Sequence, residues 1–261
     1  MKKYFKCIGF ILLCELIFIL VGGGYEAFVE RYGVSKEGYN PIFYIGFPLS
    51  VLILGLVLFW FSRSSFNEVI KWISLRKRSF HYLILGILAS LMGFIIITFI
   101  GIITKSLSIN DIINQRFDYK LLLKIFLVSV FVAFSEELIY RGIITSFFLQ
   151  NINRVFTILF ISAFFSISHF NYSSLFQFMS AFIMGIVCTV LVLHTESLFS
   201  AIGLHLGWNL SYGIFKYYFE SFLTSSGSNN QFELFQLVIL IILILVVWLW
   251  TNKKMLWKTS T

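Results

Sequence analysis

Two acidic residues and one arginine lie close together in an otherwise apolar part of the chain, in the stretch FSEELIYRG. Glu137 and Arg141 are four residues apart, a spacing that places an acid and a base on one face of a helix as an ion pair. Glu136 points about 100° away around the same helix, and its own fourth neighbour is Tyr140. Two carboxylates beside one guanidinium therefore suit Glu136 to the role of a general base. The alternative is an ion-pair cluster that only holds helices together.

A histidine follows on the next apolar segment, in ISAFFSISHFN. Phe165 precedes His169 by about one helical turn and could form one wall of a pocket. Taken alone, a histidine at the end of an apolar segment is more often an interfacial residue than a catalytic one.

A histidine and an asparagine share a later segment, AIGLHLGWNLSYG. His205 and Asn209 are four residues apart, so both side chains can converge on one substrate atom or one metal ion. Gly203 and Gly207 flank the histidine and permit a close approach of another helix, although Gly207 also fits ordinary packing.

These groups together supply what the hydrolysis of an amide bond requires. Such a site needs a base that activates water, a donor that stabilises negative charge on the carbonyl oxygen, and an acid for the leaving amine. The combination is therefore more informative than any single group.

The composition is that of a membrane protein. Of 261 residues, 59% are hydrophobic and 12% are charged, whereas a soluble domain averages about 25% charged residues. The net charge of +8 comes from Lys and Arg just outside the apolar runs, which indicates topology signals and contacts with anionic lipid rather than a nucleic-acid partner. The three cysteines lie in apolar runs and imply no disulfide framework.

The chain is predicted to form one integral, all-α domain over residues 1–261, with about eight transmembrane helices. The candidate spans are residues 4–23, 42–62, 81–104, 121–149, 155–170, 175–194, 197–219 and 234–251. The first reads as a retained signal anchor, since no cleavage motif follows it. The fourth is too long for one upright helix, so it either continues into the cytoplasm or breaks after Gly142.

The distribution of basic residues predicts a multi-pass protein of the cell membrane with both termini in the cytoplasm. Twelve Lys and Arg residues fall on the side of the N-terminus and six on the other, with Lys124 and Arg141 inside spans. Between the second and third spans, FNEVIKWISLRKRSF is either an amphipathic interfacial helix or a solvated basic loop.

In this order, EELIYRG, FSISH and HLGWN resemble the E-E-x-x-x-R, F-x-x-x-H and H-x-x-x-N motifs of the CAAX protease and bacteriocin-processing family (CPBP, or Abi) of intramembrane endopeptidases. The resemblance covers about residues 120–215. It implies an eight-helix membrane protease that cuts peptide bonds of membrane-associated proteins or leader peptides near the membrane surface.

The resemblance also implies a role for each motif residue. Glu136 and His169 would activate the water, and His205 and Asn209 would stabilise the oxyanion. Glu137 with Arg141 would order the site.

The resemblance leaves the cofactor open, because the family has been described both as metalloproteases and as glutamate-dependent proteases. Glu136, His169 and His205 could bind a divalent metal such as zinc with one open position. No H-E-x-x-H pairing is present, so the spacing does not demand zinc, and we favour activity without an obligatory metal.

Two other functions remain as alternatives. One is a non-proteolytic membrane protein of the same fold that gives bacteriocin immunity or regulates a sensor kinase, with the polar cluster serving only as structure. The other is a transporter or proton relay, for which the sequence shows no inverted repeat.

Overall fold

The computed structural model describes most of the second half of the chain and part of the first. The described residues are 7, 9, 10, 12, 13, 16, 53–60, 62–75, 77–104, 118–168, 175–225 and 236–243. His169, most of the first predicted span and the C-terminal residues lie outside them, so the predicted topology stays a prediction.

The described part of the chain is helical and contains no strand, as the all-α prediction requires. Helical stretches also cover residues 53–60 and 236–243. The remaining elements are α1 (Arg63–Ile73), α2 (Lys77–Ile103), α3 (Tyr119–Glu137), a π-helix (Leu138–Ile144), α4 (Thr145–Leu149), α5 (Arg154–Ile167), α6 (Leu175–Thr195) and α7 (Leu198–Ser225).

Two of these helices are long and apolar enough to cross a membrane, namely Arg78–Ile103 within α2 and Leu175–Thr195. The total of eight transmembrane helices stays a prediction. Helix α1 covers the first eight residues of FNEVIKWISLRKRSF, residues 66–73, so this part is helical and not a loop. That it lies at a membrane interface stays a prediction. Val69 and Trp72 are its buried apolar residues and attach it to the core.

The π-helix interrupts the long fourth segment directly after the two glutamates. It covers Leu138–Ile144, and the chain then continues as α4 without a break after Gly142. The break after Gly142, one of the two alternatives expected for this segment, is therefore wrong, and its continuation into the cytoplasm stays a prediction. The hydroxyl of Thr145 donates to the carbonyl of Tyr140 (2.7 Å), five residues earlier, and supplies a donor to this widened turn. Single-turn π segments are rare and occur frequently at functional sites.

Helices α2 and α7 approach so closely that a side chain would not fit between them. A Cβ atom at Gly203 would overlap the backbone carbonyl of Leu83, and one at Gly207 would lie 2.9 Å from the backbone of Ile87. The hydroxyl of Ser90 donates to the carbonyl of Leu204 (2.6 Å) across the same contact. This contact fixes the part of α7 that carries His205.

We expect Gly203→Ala to destabilise the folded protein by about 1–3 kcal/mol, because the added methyl group meets backbone that cannot rotate away. Gly55→Ala is the matched control: a Cβ there meets nothing within 4 Å, and alanine is the better helix former. Unfolding of both variants in detergent micelles measures the difference. Equal stability of the two variants would show that the helices can separate at little cost.

Candidate active site

Glu137 lies at the centre of a buried polar cluster that joins α3, the π-helix and α7. Its Oε1 accepts a hydrogen bond from Nη1 of Arg141 at 2.8 Å, and neither side chain is exposed. The ion pair expected from the four-residue spacing is therefore present. The same Oε1 lies 2.7 Å from Nδ1 of His205, which is 68 residues further along the chain.

The contact with Glu137 determines which ring nitrogen of His205 carries a proton. An ionised carboxylate only accepts hydrogen bonds, so we assign Nδ1 of His205 as a donor to Oε1 of Glu137. The other ring nitrogen, Nε2, lies 3.9 Å from Oε2 of Glu136. The imidazole thus lies between two carboxylates, hydrogen-bonded to Glu137 and separated by 3.9 Å from Glu136.

Phe165 packs between Arg141 and His205. The guanidinium of Arg141 lies over the Phe165 ring at 4.2 Å from its centroid. The same ring meets His205 edge to face, with centroids 5.8 Å apart and an interplanar angle of 87°. A cation above an aromatic face is stabilised by the ring quadrupole. Phe165, which the sequence suggested as a pocket wall, therefore orders both the arginine and the histidine.

A cavity of about 260 Å³ opens beside this cluster. This is far larger than the ~10–15 Å³ that one water molecule requires. Glu136, His205 and Asn209 all face it, so the catalytic candidates from α3 and α7 share one space. Its described lining consists of Val132, Glu136, Phe165, Gln177, Ser180, Ala181, Met184, His205, Trp208, Asn209, Tyr212 and Gln236.

The structure thus brings together Glu136, Glu137, Arg141, His205 and Asn209. His169 is not among the described residues, so its place in this site stays a prediction. Helix α5 is described up to Ser168 and carries Phe165 into the cluster.

Sequence reasoning missed several polar residues of the cavity. Gln236, near the start of the last apolar run, could have been singled out because an amide side chain is unusual in a predicted membrane span. Ser180 and Tyr212 carry no comparable signal, because small hydroxyl residues and tyrosines are common in apolar helices.

The described residues do not by themselves form a zinc site. Two ligands of a tetrahedral zinc ion lie about 3.4 Å apart when each is about 2.1 Å from the metal, whereas Oε2 of Glu136 and Nε2 of His205 are 3.9 Å apart. No group of three or more His, Cys, Asp and Glu residues within the described ranges could hold a metal ion. The third candidate ligand, His169, is not among them.

Comparison with known proteins gives one match. Residues 118–211 match the family model described as type II CAAX prenyl endopeptidase Rce1-like. No curated protein and no solved structure matches the chain at a significant level. The matched segment runs from the start of α3 to the middle of α7 and contains all three motifs. Residues 118–211 are therefore similar to the Rce1-like protease family, in agreement with the resemblance to CPBP endopeptidases that the three motifs carry.

Proposed function

We propose that this protein is an intramembrane endopeptidase of the CPBP type, which hydrolyses peptide bonds with a water activated by Glu136. One observation carries the proposal. Within the Rce1-like segment, Glu137 fixes one nitrogen of His205, and the other nitrogen lies 3.9 Å from Oε2 of Glu136 beside a cavity.

The proposed reaction begins with water in the cavity beside Glu136. Its oxygen attacks the scissile carbonyl carbon while Glu136 takes one proton, and the carbonyl oxygen becomes an oxyanion. When the carbon–nitrogen bond breaks, the leaving amine takes the proton from Glu136, which leaves a carboxylic acid and an amine. By the family resemblance, His169 acts with Glu136 on the water.

Asn209 and His205 are the proposed donors to the oxyanion. With Nδ1 bonded to Glu137, His205 can donate from Nε2 only as an imidazolium, so the proposal requires the charged form when the oxyanion develops. At that moment Glu136 carries the proton of the water, so the Glu137 carboxylate and the oxyanion balance the Arg141 guanidinium and the imidazolium. Compensation of this kind lowers the cost of placing four ionised groups in a low-dielectric site. Glu137 therefore orients the histidine, and Arg141 orients Glu137.

The proposed substrate is a membrane-associated peptide or protein. The matched family is named for CAAX prenyl endopeptidases, so a prenylated C-terminal peptide is the first substrate to test, with leader peptides as the second class. The cavity lining includes both apolar residues, such as Met184 and Trp208, and polar ones, which suits a peptide that arrives through the lipid bilayer. We also propose a multi-pass location with both termini in the cytoplasm, on the distribution of Lys and Arg.

We expect Asn209→Leu to lower kcat by about 10²- to 10³-fold with little change in KM, because it removes a donor used only in the transition state. The measurement is cleavage of a prenylated peptide by purified protein in proteoliposomes. Ser211→Ala is the control on the same helix: Ser211 is buried but is not among the cavity residues. A normal kcat in Asn209→Leu would remove Asn209 from the oxyanion site.

A further inference from the structure

Part of the cavity wall comes from residues that the proposed reaction does not use. Gln236 belongs to the helical stretch 236–243, outside the Rce1-like segment, and lines the same cavity as Glu136. Ser180, on α6, faces it as well. Gln236 is only 5% exposed and Ser180 only 9%.

Both side chains carry a polar atom that has no hydrogen-bond partner within the described part of the chain. These atoms are Nε2 of Gln236 and Oγ of Ser180. Leaving a buried amide donor unpaired is costly, and the great majority of buried polar groups in native proteins are paired with protein, water or a ligand. Both atoms belong to residues that line the same cavity as the candidate base Glu136. They therefore indicate a ligand with acceptor groups.

We propose that Nε2 of Gln236 and Oγ of Ser180 donate hydrogen bonds to backbone carbonyl oxygens of the substrate peptide, and so position it beside Glu136. This inference rests on the proposed function and names the part of the site that recognises the substrate. An extended peptide presents a carbonyl oxygen at every residue, and neutral amide and hydroxyl donors match these neutral acceptors.

The apolar part of the cavity completes this subsite. Val132, Met184 and Trp208 offer surfaces for side chains of the bound peptide. Ligand sites of this type combine mostly apolar walls with a few placed polar groups that set the orientation. Binding at Gln236 would therefore fix the register of the peptide, while the apolar walls would tolerate different side chains.

The test uses full-length protein with Glu136→Gln, so that a bound peptide is not cut. A fluorescent, farnesylated peptide ending in a CAAX sequence is titrated with this protein in micelles, and Kd is read from anisotropy. Adding Gln236→Met, which keeps the volume but removes the donor, is expected to raise Kd by about 3- to 10-fold. Ser180→Ala is expected to act in the same direction. Gln150→Met is the matched control, because Gln150 bonds Ser62 and Ser64 away from the cavity.

A second set of peptides separates a direct contact from a structural effect. Each peptide has one amide replaced by an ester, whose carbonyl is a weaker acceptor. At one position of the peptide, the ester is expected to weaken binding to the Glu136→Gln protein. The same ester is expected to cause no further loss of affinity in the protein that carries both Glu136→Gln and Gln236→Met.

The outcomes distinguish this inference from the proposed function. The inference would be overturned if every peptide bound with equal affinity with and without Gln236→Met. It would also be overturned if the Glu136→Gln protein did not bind the peptide. Binding that depends on Gln236, combined with no cleavage by the protein that retains Glu136, would support the inference and contradict the proposed function.

Discussion

Glu136→Gln is expected to lower the rate of peptide cleavage by about 10²- to 10⁴-fold while the protein still accumulates in the membrane. Glutamine keeps the shape of the side chain but cannot take a proton from water. Glu136 faces the cavity, and its Oε2 lies 3.9 Å from Nε2 of His205. The measurement is the initial rate of cleavage at equal amounts of membrane-inserted protein. His169→Ala and His205→Ala are expected to abolish cleavage in the same assay.

Glu196→Gln provides a matched control for this prediction. Glu196 pairs with Lys71 at 2.8 Å, and its side chain is 53% exposed, so the loss of its charge is expected to leave cleavage unchanged. Full activity in Glu136→Gln would refute the proposed role of this residue as the base. Loss of folded protein in all three site variants would instead favour the alternative in which the polar cluster is structural.

Arg141→Leu is expected to destabilise the protein by about 3–5 kcal/mol, because it leaves the Glu137 carboxylate buried without its ion pair. Both side chains are fully buried and meet at 2.8 Å. The change also removes the cation that lies over Phe165. Unfolding monitored by circular dichroism during titration of a denaturing detergent gives the difference in free energy between the variant and the unmodified protein.

The exposed pair between Lys71 and Glu196 serves as the comparison. It has the same 2.8 Å separation, but its side chains are 39% and 53% exposed, and surface pairs contribute only about 0–1 kcal/mol. Lys71→Met is therefore expected to change stability little. If Arg141→Leu were as stable as Lys71→Met, the buried pair would not be holding α3, the π-helix and α7 together.

The parts of the site that sequence could predict are those set by local spacing. A separation of four residues was enough to pair Glu137 with Arg141 and to place His205 and Asn209 on one face, because helical geometry fixes such neighbours. The helices themselves follow from long apolar runs. Asn153 caps the start of α5: its side chain accepts a hydrogen bond from the backbone N–H of Phe156 (2.9 Å), a local signal of the same kind.

The long-range contacts could not be read from spacing. The hydrogen bond between Glu137 and His205 joins residues that are 68 apart in the sequence. It depends on the position of α7, and Gly203 sets that position through the close contact of α7 with α2, not with α3. Helical spacing alone assigns Glu136 to a different face from Glu137, yet it does not show that both carboxylates meet the same imidazole. The π-helix also escaped prediction, since no single residue type marks a widened turn.

The central claim is that Glu136 activates the water that cleaves a peptide bond. The most direct measurement is mass spectrometry of the products formed from a farnesylated CAAX peptide by purified protein in proteoliposomes. The proposed mechanism predicts a single new peptide end produced by hydrolysis, and its absence when an equal amount of folded Glu136→Gln protein is used. The same product at the same rate from both proteins would contradict the claim.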